Sequence, residues 1–267
     1  MKLIDVSVSF PGRKEPLGPW TVEGPDNIPW LILGPSGSGK TTFLRAIAGR
    51  LAFRGRMEGA PPRDSTVFVP QFPERVLCGR NLAEDLGATL TPGAVQRRNL
   101  RAFLKSCALE IPLNRESRSL SGGEKRRLLM AMISRSGWPN WGWDEPEAGL
   151  DVSGRQLLLE WMEKDFIQSS GQHWIVTSRP WMYFGLNPFC VVLQKGRIVF
   201  AGLRDAALAR EENWNLLGLD AHPAGKAWKD IAKRFHNLEN NVWKKLSFEH
   251  ASIAQMQAIL RDSEVRS

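Results

Sequence analysis

The stretch GPSGSGKTT, residues 34–42, carries residue types that bind a phosphate chain. It matches the pattern GxxxxGK followed by Ser or Thr, and it stands between the apolar run IPWLIL and a segment with apolar residues at helical spacing. Its glycines let backbone N–H groups converge on phosphate oxygens, and a helix beginning nearby adds the positive end of its dipole. We therefore predict a nucleotide phosphate site formed by Gly34, Pro35, Ser36, Gly37, Ser38, Gly39, Lys40, Thr41 and Thr42.

Two adjacent carboxylates supply the other half of a phosphoryl-transfer site. The stretch WGWDEP, residues 141–146, is typical of a short strand that ends in acids. Asp144 is predicted to bind Mg²⁺ together with the Thr41 hydroxyl, while Lys40 reaches the β and γ phosphates of ATP. Glu145 is predicted to orient or deprotonate the attacking water. Adjacent acids alone would more simply be solvated, so this interpretation depends on the phosphate loop.

A third stretch, LSGGEKRRLLMAMI, has the form of a helix start. Ser121 and Glu124 are spaced as a capping box, in which each side chain accepts a hydrogen bond from the backbone N–H of the other residue. The remaining N–H groups and the helix dipole then point outward, where they can meet an anion. Taken alone, the same stretch is a plain helix cap that needs no ligand.

Strands must position these groups, and they alternate with helices along most of the chain. The runs LIDVSVSF, WTVEG, IPWLIL, STVFVPQ, WGWD and HWIVTS predict strands, and FCVVLQKGRIVFAG predicts a hairpin that turns at Lys195-Gly196. This order implies a mostly parallel sheet with an antiparallel portion near the N-terminus. Residues 81–135 are predicted to be helical, broken by TPG and by IPLNRESRS. Past Gly202, apolar residues at helical spacing among basic ones predict a small helical appendage.

Composition argues against a membrane-spanning chain, a disulfide framework and a zinc site, and it leaves the kind of partner open. With 42% hydrophobic residues among 267, the chain suits one large soluble domain or a domain with an appendage. No apolar run is long enough to cross a bilayer and the start lacks a signal peptide, so we expect a cytosolic chain. The three cysteines are scattered, which argues against disulfides or zinc. A formal charge of +8 suits an anionic partner or simple solubility.

Together, the three motifs resemble the signature set of ATP-binding cassette (ABC) ATPases, in that family's order over most of residues 1–203. The resemblance implies an α/β P-loop NTPase with a RecA-like core and an N-terminal antiparallel β subdomain. It also implies a helical signature subdomain at about residues 72–135. Residues 204–267 would form the α-helical C-terminal extension.

The resemblance also implies roles for single residues. Phe10, in SFPG, matches the aromatic residue that stacks on adenine, although it also suits a core position. Gln71, at the end of FVPQ, matches the glutamine that senses Mg²⁺ and communicates with the transport subunit. Asp151, in GLD, matches the loop that meets the opposite subunit. The signature residues would act in trans, on nucleotide held by a second ATPase subunit; they are Ser121, Gly122 and Gly123.

One position departs from the family pattern. The residue after WIVT is normally a histidine that contacts the γ phosphate, and here it is Ser178. A hydroxyl is shorter and cannot carry the charge, so we predict intact ATP binding and slow hydrolysis at this chain's own site. Arg179 is a candidate substitute, but strand alternation would point it to the opposite face unless Pro180 bends the chain. A mixed dimer with a different ATPase fits these features, and a homodimer with two slow sites stays possible.

The favoured function is the ATPase subunit of a membrane transporter, bound peripherally at the cytoplasmic face through integral membrane subunits. The stretch FPERVLCGRNLAEDL resembles a pattern of energy-coupling-factor and cobalt-type importers, although Cys78, Asn81 and Leu82 depart from it. One alternative is a soluble ABC ATPase that acts on DNA or ribosomes. However, the chain has one cassette and no room for a coiled coil, so no nucleic-acid partner is expected. The other alternative is a degenerate ATP-binding regulatory subunit with little turnover.

Overall fold

A computed structural model provides the fold. It describes residues 1–26, 28–71, 79–89, 102, 104–105, 109–134, 138–168, 171–210 and 214–216. The first seven residues of the importer-like pattern, 72–78, fall outside the described residues, and so do parts of the helical signature subdomain. Of the C-terminal extension predicted at residues 204–267, the structure describes residues 204–210 and 214–216, and the amphipathic run predicted there lies outside the described residues.

The described elements follow the predicted alternation of strands and helices. The strands are β1 (Lys2–Val8), β2 (Leu17–Glu23), β3 (Trp30–Leu33), β4 (Arg54–Glu58), β5 (Thr66–Val69), β6 (Asn140–Asp144), β7 (His173–Val176), β8 (Phe189–Gln194) and β9 (Arg197–Leu203). The α-helices are α1 (Lys40–Ile47), α2 (Leu82–Thr89), α3 (Gly122–Ser134), α4 (Val152–Gln168) and α5 (Arg204–Leu208). Short 3-10 helices span Arg63–Ser65, Ser117–Ser119 and Pro180–Leu186. None of the helices in these ranges is long and apolar enough to cross a membrane.

Two sheets carry the fold. The six-stranded sheet has the order β5-β6-β7-β3-β8-β9; its first five strands are parallel, and β9 pairs antiparallel with β8. The three-stranded sheet, of order β2-β1-β4, is antiparallel. These sheets confirm the predicted mostly parallel sheet and the antiparallel N-terminal portion. The strands β5, β6, β7 and β3 end at one edge, which is where residues that follow them meet.

Hydrophobic residues pack on both faces of the large sheet. Alternate residues of β3 belong to different clusters: Leu31 and Leu33 pack on the face that α4 covers, and Trp30 and Ile32 pack on the face that α1 covers. Such burial on both faces is typical of a parallel sheet between helices. Helix α1 is therefore held against the sheet at the point where it leaves the phosphate loop.

The strand β6 has an unusual sequence, with tryptophans on both sides of Gly142, for which the sequence suggests no reason. In the structure a β-carbon at Gly142 would lie 3.3 Å from Leu44 Cδ1 of α1 and 3.6 Å from the β-carbon of Ala48, the residue that follows α1. Trp141 and Trp143 occupy the opposite face, with ring centroids 5.4 Å apart in a stacked arrangement. Strand β6 therefore presents Gly142 to α1, and it presents the two tryptophan rings to the face of the sheet that α4 covers.

Candidate functional site

The phosphate loop joins β3 to α1 through a run of unusual backbone conformations. Gly34, Gly37 and Gly39 have φ angles of 138°, 75° and 101°, values that residues with a β-carbon rarely adopt. A β-carbon on Gly34 would lie 2.1 Å from the Leu193 carbonyl oxygen of β8. The glycines are thus needed by both the turn and the close approach of β8. Pro35, Ser36 and Gly37 are exposed at the outer side of the loop, whereas Ser38 is buried.

Lys40, the first residue of α1, folds back over this loop. Its Nζ donates hydrogen bonds to the carbonyl oxygens of Gly34 at 2.9 Å and Pro35 at 3.0 Å. Burial lowers the pKa of Lys40, and the nearby carboxylates of Glu145 and Asp144 oppose that shift. The ammonium group therefore lies beside the loop and within the field of both acids.

Thr41 and Asp144 meet between the loop and the end of β6. Thr41 Oγ1 donates to Asp144 Oδ1 at 3.1 Å, and the Asp144 residue is 3% exposed. Burial raises the pKa of Asp144, while the hydrogen bond from Thr41 lowers it. A buried carboxylate beside a hydroxyl at the first turn of the phosphate-loop helix is the hard-oxygen donor set that Mg²⁺ prefers. These two residues fit the predicted metal shell.

Gln71 and Glu145 form a second pair at the same sheet edge. Gln71, which lies two residues beyond β5, donates from Nε2 to Glu145 Oε2 at 2.8 Å. Glu145 has a φ of 49°, a left-handed conformation that is uncommon outside glycine and is often stored at functional sites. Its backbone N–H donates to the Val176 carbonyl oxygen at 2.9 Å. Glu145, predicted to act on the attacking water, and Gln71, predicted to sense Mg²⁺, are thus in contact.

Ser178 lies just past the end of β7 and is exposed. The strand ends at Val176, and Pro180 begins a 3-10 helix. Strand alternation therefore does not apply to Arg179, because the strand has already ended and the chain turns at Pro180. A bend at Pro180 was the condition under which the sequence allowed Arg179 to replace the histidine. The backbone N–H of Arg179 donates to Thr177 Oγ1 at 2.8 Å, which holds this turn.

Glu147 is a buried acid to which the sequence analysis assigned no role. It is 2% exposed, and its two oxygens accept hydrogen bonds from the hydroxyls of Thr177 and Tyr183. Burial raises the pKa of Glu147, and both hydrogen bonds oppose that shift. The only sequence signal is a third acid in DEPE, directly after the predicted catalytic pair. The contacts become visible only when β6 and β7 are neighbours.

The signature stretch starts α3 as predicted, with a reciprocal capping box. Glu124 N–H donates to Ser121 Oγ at 3.2 Å, and Ser121 N–H donates to Glu124 Oε2 at 2.7 Å. The latter hydrogen bond holds the pKa of Glu124 below its usual value. A β-carbon on Gly122 or Gly123 would meet no atom within 4 Å. This helix start is therefore open to an incoming group.

Asp151 and Phe10 lie on exposed turns. Asp151 Oδ1 accepts hydrogen bonds from the Gly154 N–H at 2.7 Å and from the Ser153 hydroxyl at 3.2 Å, so it caps α4. These bonds hold its pKa below the usual value. Phe10 follows β1, is 36% exposed and belongs to neither core cluster, so the core alternative does not hold. Its ring is accessible to a stacking partner.

Comparison with known proteins finds a family match over part of the chain. Residues 25–148 match the family model described as ABC transporter. A molybdate/tungstate import ATP-binding protein of Pyrococcus horikoshii is 34% identical over 51% of the chain, which spans 43% of that relative's length. A thiamine import ATP-binding protein of Salmonella choleraesuis is 29% identical over 72% of the chain and 87% of its own length. An energy-coupling factor transporter ATP-binding protein of Thermotoga maritima is 25% identical over 68% of the chain and 74% of its own length.

Solved structures have the same fold. An ATP binding subunit of an ABC transporter superimposes with a TM-score of 0.66 at 21% identity, over 82% of this chain and 96% of its own. The cbiO1 subunit of Clostridium perfringens, part of an ABC transporter complex, gives a TM-score of 0.62 at 21% identity, over 84% of this chain and 96% of its own. The phosphate loop, the acid-ended strand and the capped signature helix all lie within residues 25–148, and this part of the chain is an ATPase domain of the ABC transporter family.

Proposed function

We propose that the chain is the ATP-hydrolysing subunit of an ABC importer and that it works with integral membrane subunits at the cytoplasmic face. This proposal depends mainly on two hydrogen-bonded pairs of side chains that lie at the same edge of the sheet: Thr41 with Asp144, and Gln71 with Glu145. Import rather than export is supported by the relatives, whose names describe import of molybdate, thiamine and other small substrates. The transported substrate would be chosen by the membrane subunits.

ATP would bind with its phosphates along the loop at residues 34–42. Backbone N–H groups and the start of α1 supply positive potential, and Lys40 exchanges its carbonyl partners for β and γ phosphate oxygens. Thr41, Asp144 and Gln71 would hold Mg²⁺, which neutralises charge that develops on the phosphates. The exposed ring of Phe10 would stack on adenine.

Hydrolysis would depend on Glu145, held by Gln71, as the residue that orients or deprotonates water. Ser178 stands where a histidine would meet the γ phosphate, and its hydroxyl is short and exposed. Loss of one donor to a transition-state oxyanion typically lowers the rate by about 10² to 10³. We therefore assign this chain intact ATP binding with slow turnover at its own site.

A second ATPase subunit would complete the mechanism. The open start of α3 at Ser121, Gly122 and Gly123 would contact nucleotide held by the partner, and Asp151 would lie at the same interface. ATP binding would close the dimer and hydrolysis would release it. A different ATPase with its own histidine would make the second site faster, whereas two copies of this chain would give two slow sites.

A second candidate function follows from Ser178. If its hydroxyl contributes nothing to hydrolysis, the chain is an ATP-binding regulatory subunit that lends its signature helix to the partner's site. This candidate predicts ATP binding without turnover at this chain's own site, even in the complete assembly. The two functions therefore differ in one measurable quantity, the single-turnover rate at this site.

The test uses the full chain purified together with the membrane proteins that accompany it. Glu145→Gln should lower ATP hydrolysis at this site by about 10² to 10⁴, because general-base catalysis is lost, while ATP affinity is kept. Glu110→Gln, at an exposed acid far along the chain from both pairs, is the control and should leave both quantities unchanged. If the Glu145→Gln and unsubstituted assemblies hydrolyse ATP at this site at the same rate, whether that rate is fast or slow, the ATPase assignment is contradicted.

A further inference from the structure

Glu147 is a buried carboxyl that the proposed ATP site does not use. Burial of a carboxylate is costly unless its oxygens find hydrogen bonds. Its Oε1 accepts a hydrogen bond from the Thr177 hydroxyl, and its Oε2 accepts one from the Tyr183 hydroxyl at 2.9 Å. Both donors lie on the segment that follows β7, whereas Glu147 lies on the segment that follows β6. One side chain thus links the ends of two neighbouring strands.

The two hydroxyls lie on opposite sides of Ser178 in the chain. Thr177 is the residue before it, and Tyr183 belongs to the 3-10 helix that begins two residues after it. Thr177 Oγ1 also accepts the Arg179 N–H, so one hydroxyl joins the carboxylate to the backbone on the far side of Ser178. The position of Ser178 is therefore set by contacts that converge on Glu147.

The other end of this link is Glu145, the predicted catalytic residue. The Ala148 N–H donates to the Glu145 carbonyl oxygen, and the Leu150 N–H donates to the Glu147 carbonyl oxygen, so both acids belong to one tight turn. The Glu145 N–H donates to Val176, directly before Thr177. A shift at Glu147 would therefore move both Glu145 and the Ser178 loop, which is formed by residues 177–179.

We propose that Glu147 is a positioning residue that holds the Ser178 loop in a set relation to Glu145 in the closed ATP site. This inference rests on the proposed ATPase function. Because the Ser178 hydroxyl is short, its reach to a γ phosphate, directly or through water, tolerates little displacement. A misplacement of about 1 Å can cost about 10² in rate. Glu147 would thereby affect turnover while leaving the phosphate loop, and ATP affinity, unchanged.

The test compares Glu147→Leu, which removes both acceptors at similar volume, with Glu147→Gln, which keeps the shape and one carbonyl acceptor. In the full assembly, Glu147→Leu should lower the single-turnover rate by about tenfold to a hundredfold, with the ATP dissociation constant unchanged within about threefold. Glu147→Gln should restore most of that rate. An unchanged rate in Glu147→Leu, or an equal loss of ATP affinity and rate, would overturn the proposal.

A second measurement separates positioning from a purely structural role. Each Glu147 variant is combined with Ser178→His, and the rate gained from the histidine is compared with the gain in the unsubstituted background. Positioning predicts that the gain falls at least about tenfold in Glu147→Leu. Additive effects would overturn it. If Glu147→Leu does not fold, Tyr183→Phe, which removes one of the two hydrogen bonds, should show the same coupling at a smaller size, and its absence there would also overturn the proposal.

A measurement that does not depend on ATP hydrolysis distinguishes failure of this inference from failure of the proposed function. If the unsubstituted assembly binds ATP but does not hydrolyse it, the ATPase assignment fails. The exchange rate of the Arg179 amide in the ATP-bound full chain still tests the loop, because that N–H is bonded to Thr177. Faster exchange in Tyr183→Phe would support the holding of the loop by Glu147, and equal exchange in both proteins would overturn it.

Discussion

The phosphate loop and the Ser178 loop end neighbouring strands of one sheet but differ in what they contribute. The first contains every residue type of its motif, and its conformation is enforced by glycines, by β8 and by Lys40. The second is held through Thr177 and Glu147, yet it presents only a short exposed hydroxyl. In the proposed function, the first loop binds the nucleotide and the second affects turnover, so one can weaken while the other stays complete.

The largest expected effect tests whether the phosphate loop depends on a close backbone approach. Gly34→Ala places a β-carbon 2.1 Å from the Leu193 carbonyl oxygen at a φ of 138°. Strain and overpacking together should lower the free energy of unfolding by about 3 kcal/mol or more and weaken ATP binding.

The matched control is Gly37→Ala, whose φ is 75° but whose added β-carbon would meet no atom within 4 Å. Its cost should be about 1 to 2 kcal/mol, since only the left-handed conformation is penalised. Urea unfolding of both variants measures the difference. Equal losses would mean that β8 does not constrain the loop.

A second substitution tests the Mg²⁺ part of the binding half. Thr41→Val keeps the volume but removes the hydroxyl that donates to Asp144 at 3.1 Å. The affinity for ATP should fall by about 1.5 to 3 kcal/mol with Mg²⁺ present, because a bond to a charged group is lost, and by less without it. Titration calorimetry with and without Mg²⁺ measures both values.

The control for that substitution is Thr21→Val on β2, because Thr21 Oγ1 also donates to a carboxylate, Asp5 Oδ1, at 3.1 Å. It should leave ATP affinity unchanged. If the two variants bind ATP equally well, the Thr41 hydroxyl has no part in metal binding.

The pH dependence of the free energy of unfolding tests the environment of His173 in β7 separately from the chemistry of the loop that follows this strand. Burial lowers the pKa of His173 to about 3, from an ordinary value of 6.5. The unfolded chain therefore binds the additional proton between these values, and folding stability is present above pH 6.5 and lost as the pH falls. Linkage at about 1.4 kcal/mol per pH unit gives a loss of about 2 kcal/mol between pH 7 and pH 5.

His173→Gln should remove most of this dependence without altering ATP hydrolysis at pH 7, because His173 lies at the opposite end of β7 from Thr177. Unfolding by urea at pH 7, 6 and 5 checks it. The same slope in both proteins would assign the pH dependence to other groups.

The smallest expected effect concerns the signature helix. Ser121→Ala removes the hydroxyl that accepts the Glu124 N–H and should lower the free energy of unfolding by about 1 kcal/mol. ATP affinity at this chain's own site should not change, because the helix start is proposed to serve a partner's nucleotide. Thermal unfolding and ATP titration of the same variant test both statements, and weaker ATP binding would place the helix at the chain's own site.

Much of this fold could be predicted because local patterns and packing agree. The apolar run at β3, the glycine loop and the helical spacing in α1 each indicate the element that forms, and the fold class was confirmed. The capping box at Ser121 and Glu124 was also confirmed, since it depends only on residues three apart. Local chemistry of this kind is visible in the sequence.

Other features depend on neighbours that are distant in the chain. The strand β4, with the sequence RGRME, has no alternating pattern and forms because it pairs with β1. Glu147 could not be assigned a role, because its partners belong to the segment after β7 and become neighbours only through the sheet order. Gly142 lies on one face of β6 and its flanking tryptophans lie on the other, and this arrangement could not be explained without the position of α1.

We propose that ATP binding at this chain's own site is complete and that turnover there is weakened at Ser178. The most direct measurement is single-turnover ATP hydrolysis at this chain's own site, in the full assembly, with and without Ser178→His. We expect a gain of about 10² to 10³ in rate with little change in ATP affinity. An unchanged rate in a folded, ATP-binding Ser178→His assembly would contradict it.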